Sequence, residues 1–255
     1  MNTSLTDQDY WDEFWQFTSV PVIANPPDQI TSLLKKYLPI DANIELFEVG
    51  CAPGGWLVYF KKEFGYKISG IEYAEQAFQL TQENLHILNI DSNLFFGDIF
   101  DFQTNKRIDI LFSRGFIEHF ENTEEVVKKL ASISSKYVLT IIPNLFGLNG
   151  LISRVFRPEV YKKHILITRR DLRALHEKSN LEILFCDYSN EFRLVLPMDK
   201  NKFARQHPTI SKMLNYPVKL INFLFAWIFN TINWHPKTKL FSPSLICICT
   251  KRSNP

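Results

Sequence analysis

Glu45-Leu-Phe-Glu-Val-Gly-Cys-Ala-Pro-Gly-Gly-Trp56 constrains this chain's fold more than any other stretch. An apolar run carrying the acid Glu48 passes through a glycine-rich loop into a segment with helical spacing. Three of the nine glycines, Gly50, Gly54 and Gly55, fall in that loop. Glycine has no Cβ, so its concentration marks a place where backbone must approach something closely. Strand, tight turn and helix in that order open an α/β unit.

The same layout opens the dinucleotide-binding fold, where a helix N-terminus meets a pyrophosphate, so later segments must discriminate. Lys67-Ile-Ser-Gly-Ile-Glu72 is a second apolar strand ending in an acid, and both folds place a ribose-binding carboxylate there. Phe95-Phe-Gly-Asp98-Ile99 and Ile108-Asp-Ile-Leu-Phe-Ser-Arg-Gly-Phe-Ile-Glu-His-Phe120 follow. Apolar runs near 44–49, 67–72, 93–96, 109–113, 136–142, 182–188 and 243–250 read as strands. Helical spacing covers about 54–63, 75–88 and 122–132. Asn122 and Thr168 each stand as a helix N-cap signal. Alternating strands and helices predict an α/β protein with a mostly parallel sheet covered on both faces.

In order and spacing, these four motifs over residues 44–142 resemble the class I S-adenosylmethionine (SAM) dependent methyltransferases of the small-molecule type. That family's first motif is acidic-x-Gly-x-Gly-x-Gly. The chain has Glu48, Gly50, Ala52 and Gly54, a small departure at the middle position. The resemblance implies a seven-stranded Rossmann-like sheet closed by an antiparallel last strand, for which 240–251 is the match. It implies SAM as cofactor, with Glu72 on the ribose and Asp98 on the adenine. Cys51, Tyr73, Ile99, Ser113 and Arg114 complete the implied cofactor set. No metal is expected, because no Cys/His spacing matches a zinc site.

The loop also resembles that of RNA ribose 2′-O-methyltransferases, which use a Lys-Asp-Lys-Glu tetrad. Ser113-Arg114 and Thr140-Ile141 occupy two tetrad regions, and no aromatic–basic RNA-binding pattern compensates, so nucleic acid is not an expected partner. A non-catalytic SAM-fold protein that binds a partner or membrane is the other alternative. Intact Glu48, Glu72 and Asp98 argue against it.

The domain reading is an N-terminal helical cap at 1–30, a SAM-binding core at 31–188, an insertion at 189–240 and the last core strand at 241–255. Tyr10, Trp11, Phe14, Trp15 and Phe17 have helical spacing, so the first segment reads as a helix either folded over the cofactor pocket or packed outside the sheet. Charge divides the chain. Residues 1–150 hold 11 Lys/Arg against 20 Asp/Glu, and residues 151–255 hold 18 against 7, so a formal net charge of +2 hides halves of −9 and +11. The basic half, with Arg154, Arg157, Lys162, Lys163, Arg169, Arg170 and Arg173, is either a solvated face or an anion-attracting surface. Within it, 218–232 forms an apolar helix too short to span a membrane. Lid, core, dimer contact and membrane-interface helix remain open for it. The polar, acidic N-terminus and four unpaired cysteines lead us to expect a cytoplasmic protein, peripheral to the inner membrane face if that helix binds lipid.

A methyl acceptor hydroxyl must lose a proton, usually to a positioned base. His119, in the Glu-His-Phe step, and His164, after Tyr161-Lys-Lys, are the candidates. His86, His176, His207 and His235 have no such context. The expected reaction is methylation, at oxygen, of a small-molecule, sugar or lipid-linked acceptor.

Overall fold

The computed structural model describes residues 3–189, 192–195, 208–232, 234 and 237–252. Within the predicted 189–240 insertion, positions 190–191, 196–207, 233 and 235–236, and with them His207 and His235, lie outside these residues. Two N-terminal helices, α1 (Gln8–Trp15) and α2 (Asp28–Tyr37), precede the first strand. Then β1 (Glu45–Val49), α3 (Gly55–Phe64), β2 (Lys67–Glu72), α4 (Glu75–Ile87) and β3 (Asn93–Phe96) build one half of the sheet. The other half comes from β4 (Ile108–Arg114), a 3-10 turn at Ile117–His119, α5 (Thr123–Ile133) and β5 (Ser134–Pro143). Helices α6 (Leu148–Phe156), α7 (Pro158–Tyr161) and α8 (Arg169–Lys178) lead to β6 (Leu181–Tyr188), followed by α9 (Pro208–Thr231) and β7 (Ser244–Lys251).

The seven strands lie in the order β3-β2-β1-β4-β5-β7-β6, all parallel except β7, which runs antiparallel to both β5 and β6. This is the sheet that the resemblance implied. The central strands are apolar on both faces because helices cover both, which removes the usual polar–apolar alternation. Leu46, Ile110, Phe112 and Leu139 pack with α3 on one side. Phe47, Leu111 and Val138 pack with Val127 and Leu130 of α5 on the other. Phe60 and Phe112 meet edge to face at 5.1 Å, and truncating a buried ring of this kind to alanine costs about 3–5 kcal/mol.

Helix α8 starts in the predicted way. Thr168 accepts from the Asp171 backbone N–H while Asp171 accepts from that of Thr168, a reciprocal cap. Two boundaries differ from expectation. Helix α2 straddles residue 30 and buries Ile30 and Leu34 in the core, so no structural break falls there. Helix α9 begins at Pro208 instead of 218 and carries Pro217 inside it. Proline fixes φ near its helical value, but it lacks the N–H an inner turn would use, so sequence periodicity stops short of it.

Candidate functional site

The carboxyl ends of β1, β2 and β4 open into a cavity of about 650 Å³, a size usual for a small-ligand site. At its floor the chain turns at Gly50, whose φ of +67° disfavours any other residue, and enters α3 through Gly54 at φ +84°. Glu72 ends β2 at the cavity wall. Its Oε1 accepts from the backbone N–H groups of Tyr73 (2.9 Å) and Ala74 (3.1 Å), and Oε2 has a long contact of 3.4 Å from Ala52 N. Burial raises the Glu72 carboxyl above its usual range, and these donors oppose that shift.

Glu48 is also buried, with Oε2 lacking any partner. Burial pushes its carboxyl well up, while the Arg114 charge pulls it down. An orphaned acidic oxygen inside a cavity is costly unless a ligand donates to it. Asp98 stands exposed at the mouth, where it accepts from Phe100 N at 2.9 Å.

Glu48, Gly50, Ala52, Glu72, Tyr73, Asp98, Ile99, Arg114 and His119 therefore line one cavity. Four other predicted residues do not. Cys51 is buried under the strand, where a Cβ added at Gly70 would come within 2.9 Å of its own. Gly54 faces Thr81 and Leu85 of α4. Ser113 is fully buried, on the opposite side of the pleat from Arg114. His164 stacks behind His119, with ring centroids 4.4 Å apart.

Of the two places open to the aromatic N-terminal segment, it takes the one over the pocket: Trp11 and Trp15 roof the cavity, together with Ser4, Thr6 and Thr18, which the sequence reading did not single out. It is tied down at three points. The Ser4–Phe120 bridge joins it to the 3-10 turn, and Gln8 Nε2 donates to the Tyr73 carbonyl. Asp12 of α1 accepts from the N–H groups of Gln76 (2.9 Å) and Ala77 (3.3 Å), which caps α4 from outside. Asn84, fully buried on α4, bonds both backbone groups of Val22 and the carbonyl of Pro53, clamping the segment after α1 to the glycine loop. A lone Asn inside an amphipathic helix gives no sequence signal for this role.

On the far side, His119 Nδ1 lies 2.8 Å from the Lys163 carbonyl and His164 Nδ1 2.7 Å from that of Val160. A carbonyl only accepts, so each ring carries its proton on Nδ1 and keeps a lone pair on Nε2. Burial lowers His119 to about 3, helped by His164, and lowers His164 as well. Both rings are neutral at pH 7 and weakly basic.

The family described as methyltransferase domain matches residues 24–184. The chain belongs to that family. It has the fold of the class I SAM-dependent methyltransferases. No curated protein matches the sequence. Among solved structures, phosphoethanolamine N-methyltransferase 2 from Haemonchus contortus, in complex with SAM, is similar at TM-score 0.62 and 13% identity, over 97% of this chain. The chain spans 58% of that protein's length. Magnesium protoporphyrin IX methyltransferase from Synechocystis PCC 6803, with bound S-adenosylhomocysteine, gives 0.56 and 12%, over 96% of this chain and 93% of that one. Geranyl diphosphate C-methyltransferase from Streptomyces coelicolor A3(2) gives 0.57 and 12%, over 88% and 79%.

The cavity fits SAM, the cofactor that this fold implies, on the chain's own geometry. Carboxylates at the ends of β1 and β2 face it with unspent acceptor capacity on Glu48 Oε2 and Glu72 Oε2. The turn at Gly50 keeps its floor low, since a Cβ there would come within 3.2 Å of Phe116.

Proposed function

We propose that this methyltransferase methylates an oxygen of a small sugar or lipid-linked acceptor, at the inner face of a membrane. When bound, SAM supplies a methyl group on an electrophilic sulfonium. The chain then has to bind, align and keep water out. Glu72 holds the ribose hydroxyls, Asp98 receives the adenine amino group, and Glu48 is offered to a cationic group of the ligand. Trp11 and Trp15 roof the cavity and exclude water.

The observation that carries an oxygen acceptor is His119. Its ring lies on the cavity wall, propped edge to face by Trp11 at 5.1 Å, and it presents a lone pair while staying uncharged. A neutral imidazole of that kind accepts a hydrogen bond from a hydroxyl and aims the oxygen. Incubation with methyl-labelled SAM and a panel of hydroxylated acceptors, with the product read by NMR, tests the reading. A methyl found on nitrogen or carbon would overturn it.

The membrane contact is supported by α9. Leu220, Phe223, Leu224, Trp227 and Ile228 stand exposed on it, and Leu151, Val155 and Phe156 stand exposed on α6. Apolar exposure on this scale marks an interaction surface, and the +11 charge of residues 151–255 suits anionic lipid. Among the described residues no helix is long and apolar enough to cross a membrane. Sedimentation with anionic vesicles tests the contact; failure to bind at low salt would remove it.

A further inference from the structure

Glu118, His119 and His164 each bring a ligating atom within 4.8 Å of the other two. The 3-10 turn supplies the first pair. The Ile165 N–H, which donates to the Glu118 carbonyl at 2.6 Å, docks the His164 segment against it. Glu118 is 1% exposed, and neither of its carboxylate oxygens has a hydrogen-bond partner. A buried carboxylate left this way is costly.

Beside it stand two imidazoles whose Nδ1–H groups are both committed to backbone carbonyls, at 2.8 and 2.7 Å. Such outer hydrogen bonds are the ones that fix the tautomer and orientation of metal-bound histidines.

We propose that Glu118, His119 and His164 form a site for a divalent transition-metal ion of the zinc class, at the acceptor end of the cavity. Two imidazole nitrogens and one carboxylate suit zinc or iron better than magnesium or calcium, which prefer oxygen ligands throughout. The cations that act on these groups are Lys163 and Arg114. Lys163 holds its ammonium 5.1 Å from the Tyr10 ring, and Arg114 its guanidinium 5.8 Å from the Trp56 ring.

Three protein ligands leave a further coordination position, as catalytic zinc sites do. His119 lies on the cavity wall, so an acceptor hydroxyl can reach that position, where the ion takes over from the His119 Nε2 lone pair the task of holding the oxygen. An ion there would lower the hydroxyl pKa. This purpose rests on the oxygen-methylation reading; the site itself does not.

The test uses the full chain after chelation, titrated with zinc chloride by calorimetry and with cobalt(II) by visible absorption. One equivalent should bind, with affinity lowered about tenfold or more in Glu118→Gln and in His164→Gln. Azide should shift the cobalt spectrum through the open position. No zinc binding by the wild type would overturn the proposal. So would binding that survives both substitutions and disappears in Cys247→Ser, which would place the ion at the buried His176, Cys247 and Cys249 instead. Circular dichroism on each variant separates loss of fold from loss of ligand. If one variant misfolds, the other decides. Neither cofactor nor acceptor is needed, so failure here leaves the oxygen-methylation reading intact, and a methyl found elsewhere leaves zinc binding intact.

Discussion

The carboxyl edge of the sheet and the outward sides of α6 and α9 solve opposite problems. At the sheet edge, charge is buried: Glu48, Glu72 and Glu118 are at most 6% exposed. On α6 and α9, apolar groups are exposed: Trp227 at 61%, Phe223 at 68% and Val155 at 63%. Each departs from the rule that charge faces water and hydrocarbon does not. A departure of either kind has to be compensated by something bound. The first asks for a small polar ligand, and the second for an extended apolar or lipid surface.

The core between these regions should show the largest single effect, and it serves as the reference. His176 is fully buried, with Nδ1 bonded to the Leu172 carbonyl and Nε2 to the Thr140 hydroxyl, and burial lowers it to about 4. Its folded pKa lies below the unfolded value, so the unfolded chain binds the extra proton first. Stability is therefore complete above about pH 6.5 and falls as pH drops towards 4, by about 3 kcal/mol over that window. Urea denaturation from pH 7 to 4 should lose that part of its slope in His176→Gln. Equal slopes in both proteins would mean that His176 does not set it.

At the sheet edge, Glu72→Ala should weaken SAM binding by about 1.5–3 kcal/mol, or roughly 10–150-fold, as read by calorimetry. Trp227→Asp should leave that affinity unchanged. On vesicles the order reverses. Trp227→Asp should reduce binding by up to about 1.5–3 kcal/mol, in a part that salt does not remove, while Glu72→Ala binds like wild type. A variant that moved both readouts would break the separation of the two regions.

The smallest effect tests the roof. Asp12→Ala removes the outside cap of α4 and should cost about 0.5–2 kcal/mol in denaturant titrations. Because α1 covers the cavity, cofactor affinity should fall with it. Stability lost without affinity would mean that the roof holds α4 but does not help hold SAM.

Most of the sheet was legible because buried strands write apolar runs into the sequence, and the glycine loop with its flanking acids located the cavity. Cys51, Gly54 and Ser113, read together with their neighbours, stand off it: alternate residues of an extended chain face opposite ways, so Arg114 reaches the cavity and Ser113 does not. The clamp by Asn84 and the cap by Asp12 join residues 62 and 64 positions apart, and no local pattern encodes such a pairing. The same holds for Glu118 and His164, whose proximity depends on where the segment after α6 folds back. The aromatic N-terminal spacing foretold a helix but could not say which face it would cover. On α9, Asn222 bonds both backbone groups of Leu194, and Phe229 packs against Phe192, Phe225 and Trp234. One face of the apolar helix is thus held by the protein and another is left outward, a division that composition alone does not predict.

The strand order also governs how the chain can assemble during synthesis. Strand β6 sits at the sheet's edge and, among the described residues, pairs with β7 alone, which lies between it and β5. The ribosome therefore releases residues 181–188 long before their native neighbour, residues 244–251, exists. In that interval the Tyr188 end of the sheet, the apolar α9 segment and the edge of β5 are all unsatisfied together. The nascent protein passes through a stage with an open strand edge beside exposed hydrocarbon, the combination most prone to off-pathway association.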